Sequence, residues 1–391
     1  MKVLFIGKDH RQRRKETMLH PPKGIEFIPQ QPLKEMKKDH QLTGVKLEKG
    51  SIWQRIKDFT KYNNLISGQD LERIDLIYSP GKLIFNKFPW VVEVDNVSCL
   101  SYYNLTLLHI LKPLIAWKLK SKWCKTIICL SEAGKKSVVN FFNDDVILSK
   151  CTTVHPFVSK PLKRKRKDNI VRLLYVSSAF HLKGGRQIIR AFEQLNWRFS
   201  NLELVIVSNT PQEVIDDYCQ WKNIKFVKPD MEKKELYEKY YTQSDIFLQL
   251  SFQDSFNMTV LEAMSCGLPV VATDMFAIPE MVKDGYNGFV LKSPIDYFDD
   301  DYQPNPKFWN MDINIFVRYC VPRIPELNEE FLEMESKLVH ALDTLVRNKS
   351  LRKTMGNNSL RMVKEKFNEN KRQEALTKAL TKTTTTSWGW D

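Results

Sequence analysis

The amino-acid sequence predicts an α/β fold made of two Rossmann-like domains, each a doubly wound parallel sheet. Short apolar segments of strand length alternate with longer segments of helix length in both halves of the chain. The alternation stops once, at a basic stretch over 154–169, and then starts again. A chain of 391 residues with 42% apolar and 27% charged content is long enough for two such domains.

Five strands are predicted in each half of the chain. In the first half they are "KVLFIG", "GIEFIP", "IDLIYS", "WVVEVD" and "TIICLS". In the second half they are "VRLLYVS", "LELVIVS", "IKFV", "DIFLQLS" and "LPVVATD". Helical segments such as "GRQIIRAFEQL" and "EKKELYEKYYTQ" separate them, as expected for parallel strands joined by crossover helices. We therefore expect one domain over 1–165, a second over 166–365, and a C-terminal helix and tail over 366–391, for which a return to the first domain stays open.

The chain is basic, with 60 Lys and Arg residues against 46 acidic ones and a net charge of +14. Such a charge attracts nucleotide phosphates, anionic lipids or nucleic acid, and by itself it does not choose among them. Much of the positive charge lies in three segments, 8–15, 117–125 and 163–167.

Composition argues against several classes of protein. Seven scattered cysteines form neither zinc-knuckle pairs nor a dense disulfide framework, and the seven histidines show no zinc spacing. No uncharged apolar stretch approaches the roughly 18 residues of a transmembrane helix, and a strand follows the first residue directly. We expect a cytoplasmic protein with reduced, mostly buried thiols.

The segment "DSFNMTVLEAMSCGLPVVATD", residues 254–274, places one carboxylate in a polar turn and a second one eight positions later in an apolar helix. The apolar residues of this helix, Val260 and Met264 among them, share one face, and "CGLP" ends it. Asp254 and Ser255 are the candidate N-caps. The helix is expected to open at the carboxyl end of the strand "SDIFLQLS", where open α/β sheets bind their ligands.

The stretch "SFQDSFNMTVLEAMSCGLPVVATDMFAIPEMVKDGYNGFVL" resembles the donor-site signature of the retaining GT-B glycosyltransferases, specifically of glycosyltransferase family 4. The segments "RLLYVSSAFHLKGGRQIIRAFEQL" and "LYEKYYTQSDIFLQLS" are similar to those that precede the signature in that family, in the same order. The resemblance covers residues 170–292, and the N-terminal half matches in architecture alone. It implies a GT-B fold in which the two Rossmann-like domains face a central cleft, with 1–165 as the acceptor-side domain and 166–365 as the domain that binds a nucleotide-sugar donor.

The two acidic residues of the family pattern stand here as Asp254 and Glu262, with an aspartate in place of the usual first glutamate. The resemblance implies that Glu262 accepts the ribose hydroxyls and that Asp254 faces the sugar ring. Backbone amides at the start of the helix suit a diphosphate. Taken alone, Asp254 is better explained as a helix cap, and Glu262 could be a surface residue on the polar side of the helix. The expected donor-binding residues are Glu262, Phe256, Asn257, Met258, Thr259 and Ser177.

Lys183 lies in the turn "HLKGG" between a strand and a helix. The resemblance implies that its ammonium stabilises the departing diphosphate, whereas the simpler alternative is a surface lysine before a helix. The arginine that the family usually carries six positions earlier is Ser177 here, and a hydroxyl does not replace a guanidinium fork. His181 and Arg186 are the candidates to compensate for it.

Asp95 ends the strand "WVVEVD" and is expected to point into the cleft. Many members of the family carry a histidine near this position that contacts the donor sugar. An acid here is suited to orient a sugar hydroxyl or the acceptor nucleophile, and a capping role for Asp95 stays equally open.

The run "LLHILKPLIAWKLKSKWCK" combines Trp117 and Trp123 with five lysines. It is consistent with a helix that lies on an anionic membrane, because Trp and Lys favour the membrane interface. It is also consistent with a helix of the first domain that packs its Leu and Trp side chains inward.

These features predict a retaining glycosyltransferase that moves a sugar from a UDP- or GDP-sugar to a glycan, lipid-linked or other acceptor. The candidate catalytic residues are Asp254, Lys183 and Asp95. The resemblance implies no cofactor and no metal, and we interpret Asp299–Asp301, in an insertion over 293–325, as a solvated loop.

Two other classes of protein stay open. A sugar-nucleotide-binding module without catalysis is suggested by Ser177 and Asp254, which depart from the family pattern. A binder of polyanions or nucleic acid is suggested by the net charge, but no RNA-binding signature supports it, and we expect no nucleic-acid partner.

Overall fold

The computed structural model describes residues 1–6, 12–30, 66, 71–158, 168–309, 311 and 329–382. The basic segment 163–167, the predicted domain boundary, part of the segment 8–15, most of 310–325 and the tail from 383 lie outside these residues. Within them, two six-stranded parallel sheets are flanked by helices. The predicted α/β fold with two doubly wound sheets is therefore confirmed.

The N-terminal sheet has the strand order β2-β1-β3-β4-β5-β6. Its strands are β1 (Lys2–Phe5), β2 (Glu26–Pro29), β3 (Leu76–Pro80), β4 (Trp90–Val94), β5 (Cys124–Cys129) and β6 (Cys151–Thr153). The helices described in this half are α1 (Gln12–Leu19), α2 (Leu105–Ile110), α3 (Lys112–Lys120), α4 (Glu132–Phe142) and α5 (Asp145–Lys150). Strands β3 and β4 are buried along their whole length, as expected for central strands covered on both faces.

The C-terminal sheet has the strand order β12-β11-β10-β7-β8-β9. Its strands are β7 (Val171–Ser177), β8 (Leu202–Ser208), β9 (Ile224–Val227), β10 (Ile246–Gln249), β11 (Val270–Thr273) and β12 (Gly288–Leu291). The helices are α6 (Gly185–Asn196), α7 (Gln212–Asp217), α8 (Lys233–Lys239), α9 (Met258–Ser265), α10 (Ile278–Met281), α11 (Pro306–Trp309), α12 (Glu329–Arg347), α13 (Lys349–Lys366) and α14 (Glu369–Thr381).

The strand order of the C-terminal sheet reverses between β7 and β10. The chain runs outward through β7, β8 and β9 and then returns to place β10 on the other side of β7. The loops that leave these two neighbouring strands therefore diverge and open a crevice at their carboxyl ends. Lys183 follows β7 and Asp254 follows β10, so the topology brings the two turns together.

Helix α14 follows the C-terminal domain in sequence but packs on the N-terminal sheet. Leu376 and Leu380 share one apolar cluster with Val3 of β1. The hydroxyl of Thr126 on β5 donates to the carbonyl of Ala379 at 2.7 Å. This helix therefore links the two domains on the side of the sheet that it covers.

A second link between the domains is made by Glu280 on α10. Its carboxylate accepts from the backbone N–H groups of Glu132 at 3.0 Å and Ala133 at 2.7 Å, and it lies 3.1 Å from His155 Nε2. Burial acts to raise the pKa of Glu280, but the hydrogen bonds from His155 and the two amides outweigh it and lower this pKa. The carboxylate is therefore ionised at neutral pH, and its charge favours the start of α4.

Candidate active site

Two glycines shape the turn after β7, and Gly184 lets it approach the segment after β10. Gly184 has a φ of +75°, and a Cβ atom there would lie 2.4 Å from the Cβ of Leu250. A Cβ atom at Gly185 would lie 2.3 Å from the ring of Phe180. Only glycine fits such a positive φ and such a close approach without strain. The "KGG" sequence thus allows Lys183 to lie directly against the turn that carries Asp254.

Lys183, Asp254 and Asn257 form a hydrogen-bonded cluster in this crevice. The Nζ atom of Lys183 lies 2.7 Å from Asp254 Oδ2 and also donates to the backbone carbonyl of Gln253. The amide Nδ2 of Asn257 donates to the same Asp254 oxygen at 2.7 Å. The Lys183 and Asp254 side chains are only 16% and 17% exposed, so the pair is largely shielded from bulk water. A charged pair at the mouth of the crevice is chemically suited to meet an anionic leaving group and a sugar hydroxyl.

The N-cap of α9 is Asn257, so the expected caps, Asp254 and Ser255, are wrong. Asn257 is extended, with φ −85° and ψ 99°, and its Oδ1 accepts from the N–H of Val260 at 3.2 Å. The helix therefore begins at Met258. Its first-turn amides, those of Met258 and Thr259, have no intrahelical acceptor and open toward the crevice end of the helix.

Asp95 lies across the cleft from this cluster and is 5% exposed. Its Oδ1 accepts from the N–H of Asn96 at 2.9 Å, and its Oδ2 accepts from the hydroxyl of Tyr103 at 2.8 Å. The hydroxyl of Ser255, next to Asp254, donates to the same Oδ2 at 3.4 Å. The described contacts thus bring Asp95 of the N-terminal domain to the turn that holds Asp254.

The insertion after β12 contributes a support for Asp95 that the sequence analysis missed. Trp309 donates its Nε1–H to the carbonyl of Tyr103 at 2.9 Å, and the two rings stack with centroids 6.4 Å apart. Tyr297 packs on Trp309 with ring centroids 5.0 Å apart. The density of aromatic residues in "DYFDDDYQPNPKFW" indicated that this insertion packs against the protein, because aromatic residues rarely cluster in a solvated loop.

The acidic run in this insertion is exposed. Asp299 Oδ1 accepts from the N–H groups of Asp301 at 3.0 Å and Gln303 at 2.7 Å, which shapes the turn. Within the part of the chain that the structure describes, no group of three His, Cys, Asp or Glu side chains could hold a metal ion.

Glu262 lies one turn into α9 and is 7% exposed. Its Oε1 lies 3.1 Å from Lys233 Nζ, and its Oε2 accepts from the hydroxyl of Tyr241 at 3.1 Å. Burial raises the pKa of Glu262, and Lys233 opposes that effect. Lys233 was not singled out in the sequence, because nothing in "MEKKELYEK" distinguishes it from Lys234.

The other predicted donor residues occupy different surroundings. Phe256 is buried in the core of the C-terminal domain, and Met258 packs against that core while partly exposed. Thr259 donates its hydroxyl to Asn257 Oδ1 at 2.7 Å. Ser177 is 8% exposed, and its hydroxyl oxygen accepts from the N–H of Ala179 at 3.0 Å. Ser177 therefore stabilises the turn after β7, and it presents no cation to the crevice.

Neither residue considered as a substitute for the missing arginine contacts Asp254 among the described interactions. Burial, and then the charge of Arg186, lower the pKa of His181, so its imidazole is neutral at pH 7. Arg186 itself pairs with Glu213 on α7, with 3.2 Å between Nη2 and Oε1. Lys183 is thus the cation that the structure brings to Asp254.

Residues 158–300 match the family model of the glycosyl transferases group 1. The chain is 27% identical over 175 residues to a component of the human phosphatidylinositol N-acetylglucosaminyltransferase, a match that covers 43% of this chain and 35% of that protein. It is 26% identical over 266 residues to an uncharacterized glycosyltransferase of Methanocaldococcus jannaschii, which covers 64% and 57% of the two chains. The chain thus spans less than two thirds of the length of these curated relatives.

Solved structures resemble nearly the whole chain. Anabaena Alr3699/HepE, solved in complex with UDP and glucose, superposes with a TM-score of 0.59 at 15% identity and covers 97% of this chain and 99% of its own. The pneumococcal O-GlcNAc transferase GtfA, in complex with UDP and GlcNAc, superposes with a TM-score of 0.55 at 14% identity over 79% of this chain and 56% of its own. At such identities the likeness establishes the fold. The two Rossmann-like sheets and these solved structures show that the chain has the GT-B fold, and its residues 158–300 are similar to the glycosyl transferases group 1.

Proposed function

We propose that this protein transfers a sugar from a nucleoside diphosphate sugar, with UDP- and GDP-sugars as the first candidates, to a hydroxyl of a glycan or lipid-linked acceptor, with retention at the anomeric carbon. The observation that carries the proposal is the cluster of Lys183, Asp254 and Asn257 at the start of α9, faced by Asp95 across the cleft. The UDP complexes of Alr3699/HepE and GtfA support a uridine nucleotide as the first donor to test.

The roles of the residues follow from their chemistry. The diphosphate lies at the start of α9, where first-turn amides and the helix dipole favour an anion, and Lys183 stabilises the charge that builds up as the anomeric C–O bond breaks. Glu262 accepts the ribose hydroxyls. Asp254 orients the sugar, and Asp95 orients the acceptor hydroxyl, whose oxygen bonds to the anomeric carbon on the face that the diphosphate leaves. The acceptor proton passes to the departing phosphate oxygen.

We expect sugar transfer to need no metal ion, because Lys183 and the helix amides supply the positive charge at the leaving group. The test incubates the protein with radiolabelled UDP- and GDP-sugars and a panel of glycan and lipid-linked acceptors, with and without EDTA. Turnover should persist after chelation. Loss of turnover with EDTA, restored by Mn²⁺, would contradict metal independence. Nucleotide binding without any transfer would favour the alternative, a degenerate sugar-nucleotide-binding module suggested by Ser177 and the unusual Asp254.

We also propose that the protein works in the cytoplasm at the surface of anionic membranes. Leu114 and Trp117, three residues apart on α3, are 37% and 61% exposed, and Ile110 at the end of α2 is 49% exposed. Lys112 and Lys120 belong to the same short segment, so an apolar strip and positive charge lie together, as in interfacial helices. Among the described residues no helix has both the length and the apolarity to cross a bilayer.

Flotation with phosphatidylcholine vesicles, with and without phosphatidylglycerol, tests the membrane proposal. Wild-type protein should float with the anionic vesicles, and Trp117→Ala should reduce the bound fraction severalfold because the indole is the largest exposed apolar group of the strip. Trp197→Ala is the matched control, since Trp197 is 85% exposed on the C-terminal domain. Equal binding by the two variants would contradict the proposed surface.

A further inference from the structure

One ammonium group joins the predicted ribose-binding carboxylate to the N-terminal domain. Lys233 is the first residue of α8, and its Nζ lies 3.1 Å from Glu262 Oε1 and 2.9 Å from Glu16 Oε1. Glu262 belongs to α9 of the C-terminal domain, and Glu16 belongs to α1 of the N-terminal domain. The side chains of Glu262, Glu16 and Lys233 are 10%, 12% and 33% exposed. Such shielding makes the interaction stronger than a surface ion pair.

The surroundings of Glu262 make its charge depend on this lysine. Burial disfavours the ionised form, and the nearby carboxylate of Glu16 acts in the same direction. The Lys233 ammonium and the hydrogen bond from Tyr241 act against them. The hydroxyl of Tyr237 and the thiol of Cys266 are further titratable groups that interact with Glu262 or with its neighbour Tyr241. Burial raises the pKa of Tyr237, so its hydroxyl is neutral near pH 7.

We propose that Lys233 is a positioning residue for the nucleotide donor, which keeps Glu262 ionised and turned toward the ribose while Glu16 anchors the lysine from the opposite domain. The inference rests on the proposed function, since it takes the ligand of Glu262 to be the ribose of a nucleotide. A carboxylate offers about four acceptor positions. Lys233 and Tyr241 occupy two of them, so two remain for the ribose hydroxyls.

Removal of the ammonium should raise the pKa of Glu262 further, because burial and Glu16 are then opposed by Tyr241 alone among the groups named above. The Glu262 carboxyl of Lys233→Met should therefore bind a proton more readily than that of wild type as the pH falls. The protonated group is a weaker acceptor, so the affinity of this variant for UDP should fall as the pH is lowered. Wild-type affinity should change less, because the protonation of the terminal phosphate of UDP near pH 6 affects both proteins alike.

Isothermal titration calorimetry with UDP at pH 6, 7 and 8 tests the role of Lys233. We expect the dissociation constant of Lys233→Met to rise about tenfold at pH 8, the effect of weakening one charge-assisted contact, and further at pH 6. Lys233→Arg should recover most of the affinity, because it keeps the charge within reach of both carboxylates. Lys234→Met, the exposed neighbour, is the control and should bind as wild type does. Wild-type affinity and wild-type pH dependence in Lys233→Met would overturn the proposal.

A double-mutant cycle without nucleotide separates this inference from the proposed function. Lys233→Met, Glu262→Gln and the double variant are melted between pH 5 and 8. A folded-state pKa raised above the unfolded value means that stability is lost as pH rises. The melting temperature of Lys233→Met should therefore fall relative to wild type as the pH rises, and Glu262→Gln should remove this slope. If this pH dependence of the melting temperature persists in the double variant, the proposed role of Lys233 is wrong, whereas the proposed function is unaffected. Failure of every variant, wild type included, to bind UDP, GDP or ADP overturns the nucleotide assignment and the positioning role with it.

Discussion

The Glu262→Gln variant is expected to bind UDP at least about 100-fold more weakly than wild type while keeping its fold. The substitution preserves the shape of the side chain but removes the charge that we propose accepts two ribose hydroxyls. A hydrogen bond to a charged group contributes about 1.5–3 kcal/mol, so weakening two of them accounts for at least two powers of ten. Lys233 keeps its contact with Glu16 in this variant, so its charge stays partly compensated.

Calorimetry with UDP measures the loss, and the melting temperature reports whether the fold is retained. Glu235→Gln is the matched control, because Glu235 pairs with Lys239 on the surface of α8 with 42% of its side chain exposed. Affinity should be unchanged in the control. If Glu262→Gln also binds as wild type does, the ribose role is wrong and Glu262 serves as a structural counter-charge for Lys233.

Most of the fold follows from local pattern, because strands buried on both faces read as unbroken apolar segments. All ten predicted strands coincide with strands of the two sheets. Two further strands were not predicted. Strand β6, Cys151–Thr153, has three residues, too few to show a period. Strand β12, Gly288–Leu291, follows a turn rather than a helix long enough to suggest a crossover.

The cap of α9 shows where local reasoning stops. Asp254, Ser255 and Asn257 are all good N-cap residues and lie within four positions of one another. What selects Asn257 is tertiary structure. Asp254 pairs with Lys183, 71 residues away in sequence, and Ser255 reaches Asp95, 160 residues away. No local propensity carries that information.

Lys233 and Trp309 lay beyond sequence reasoning for the same physical cause. Each acts on a predicted site residue from a distant part of the chain, Lys233 through an ion pair to Glu262 and Trp309 through Tyr103 to Asp95. Nothing in the helix sequence distinguishes Lys233, and the aromatic residues around Trp309 indicate a packed insertion but not the residue on which it packs. Residues that contact a site residue from a distant part of the chain are therefore identified only once the fold brings the elements together.

The Asp254→Asn variant is expected to lose at least about 100-fold in kcat, with a much smaller change in melting temperature. Asp254 does not cap α9, so the helix keeps its start when the carboxylate is replaced. Lys183 also retains the backbone carbonyl of Gln253, which limits the cost of losing the ion pair. The rate should fall because a charged group that orients the sugar acts mainly in the transition state, where such interactions contribute about 10²–10³-fold.

Asp254→Glu should also lower kcat. This result would show that the site requires the length of an aspartate side chain and not simply a carboxylate. The extra methylene moves the carboxylate by about 1.5 Å, the length of one C–C bond. In this structure Asp254 Oδ2 is held at 2.7 Å by both Lys183 and Asn257, so a longer side chain has to displace one of them or project into the space of the sugar. Asp300→Asn, on the exposed turn of the insertion, is the control and should keep wild-type turnover.

Kinetics with the donor varied up to saturation distinguish a catalytic role of Asp254 from a role in holding Lys183. Lys183 loses its carboxylate partner in Asp254→Asn and can interact more strongly with the donor phosphates, so KM for the donor should stay level or fall while kcat drops. A rise in KM with unchanged kcat would instead mean that Asp254 binds substrate and transition state equally. Full turnover in Asp254→Asn would remove Asp254 from catalysis. The carboxylate would then serve to hold Lys183 in place, which is what a nucleotide-binding module without chemistry requires.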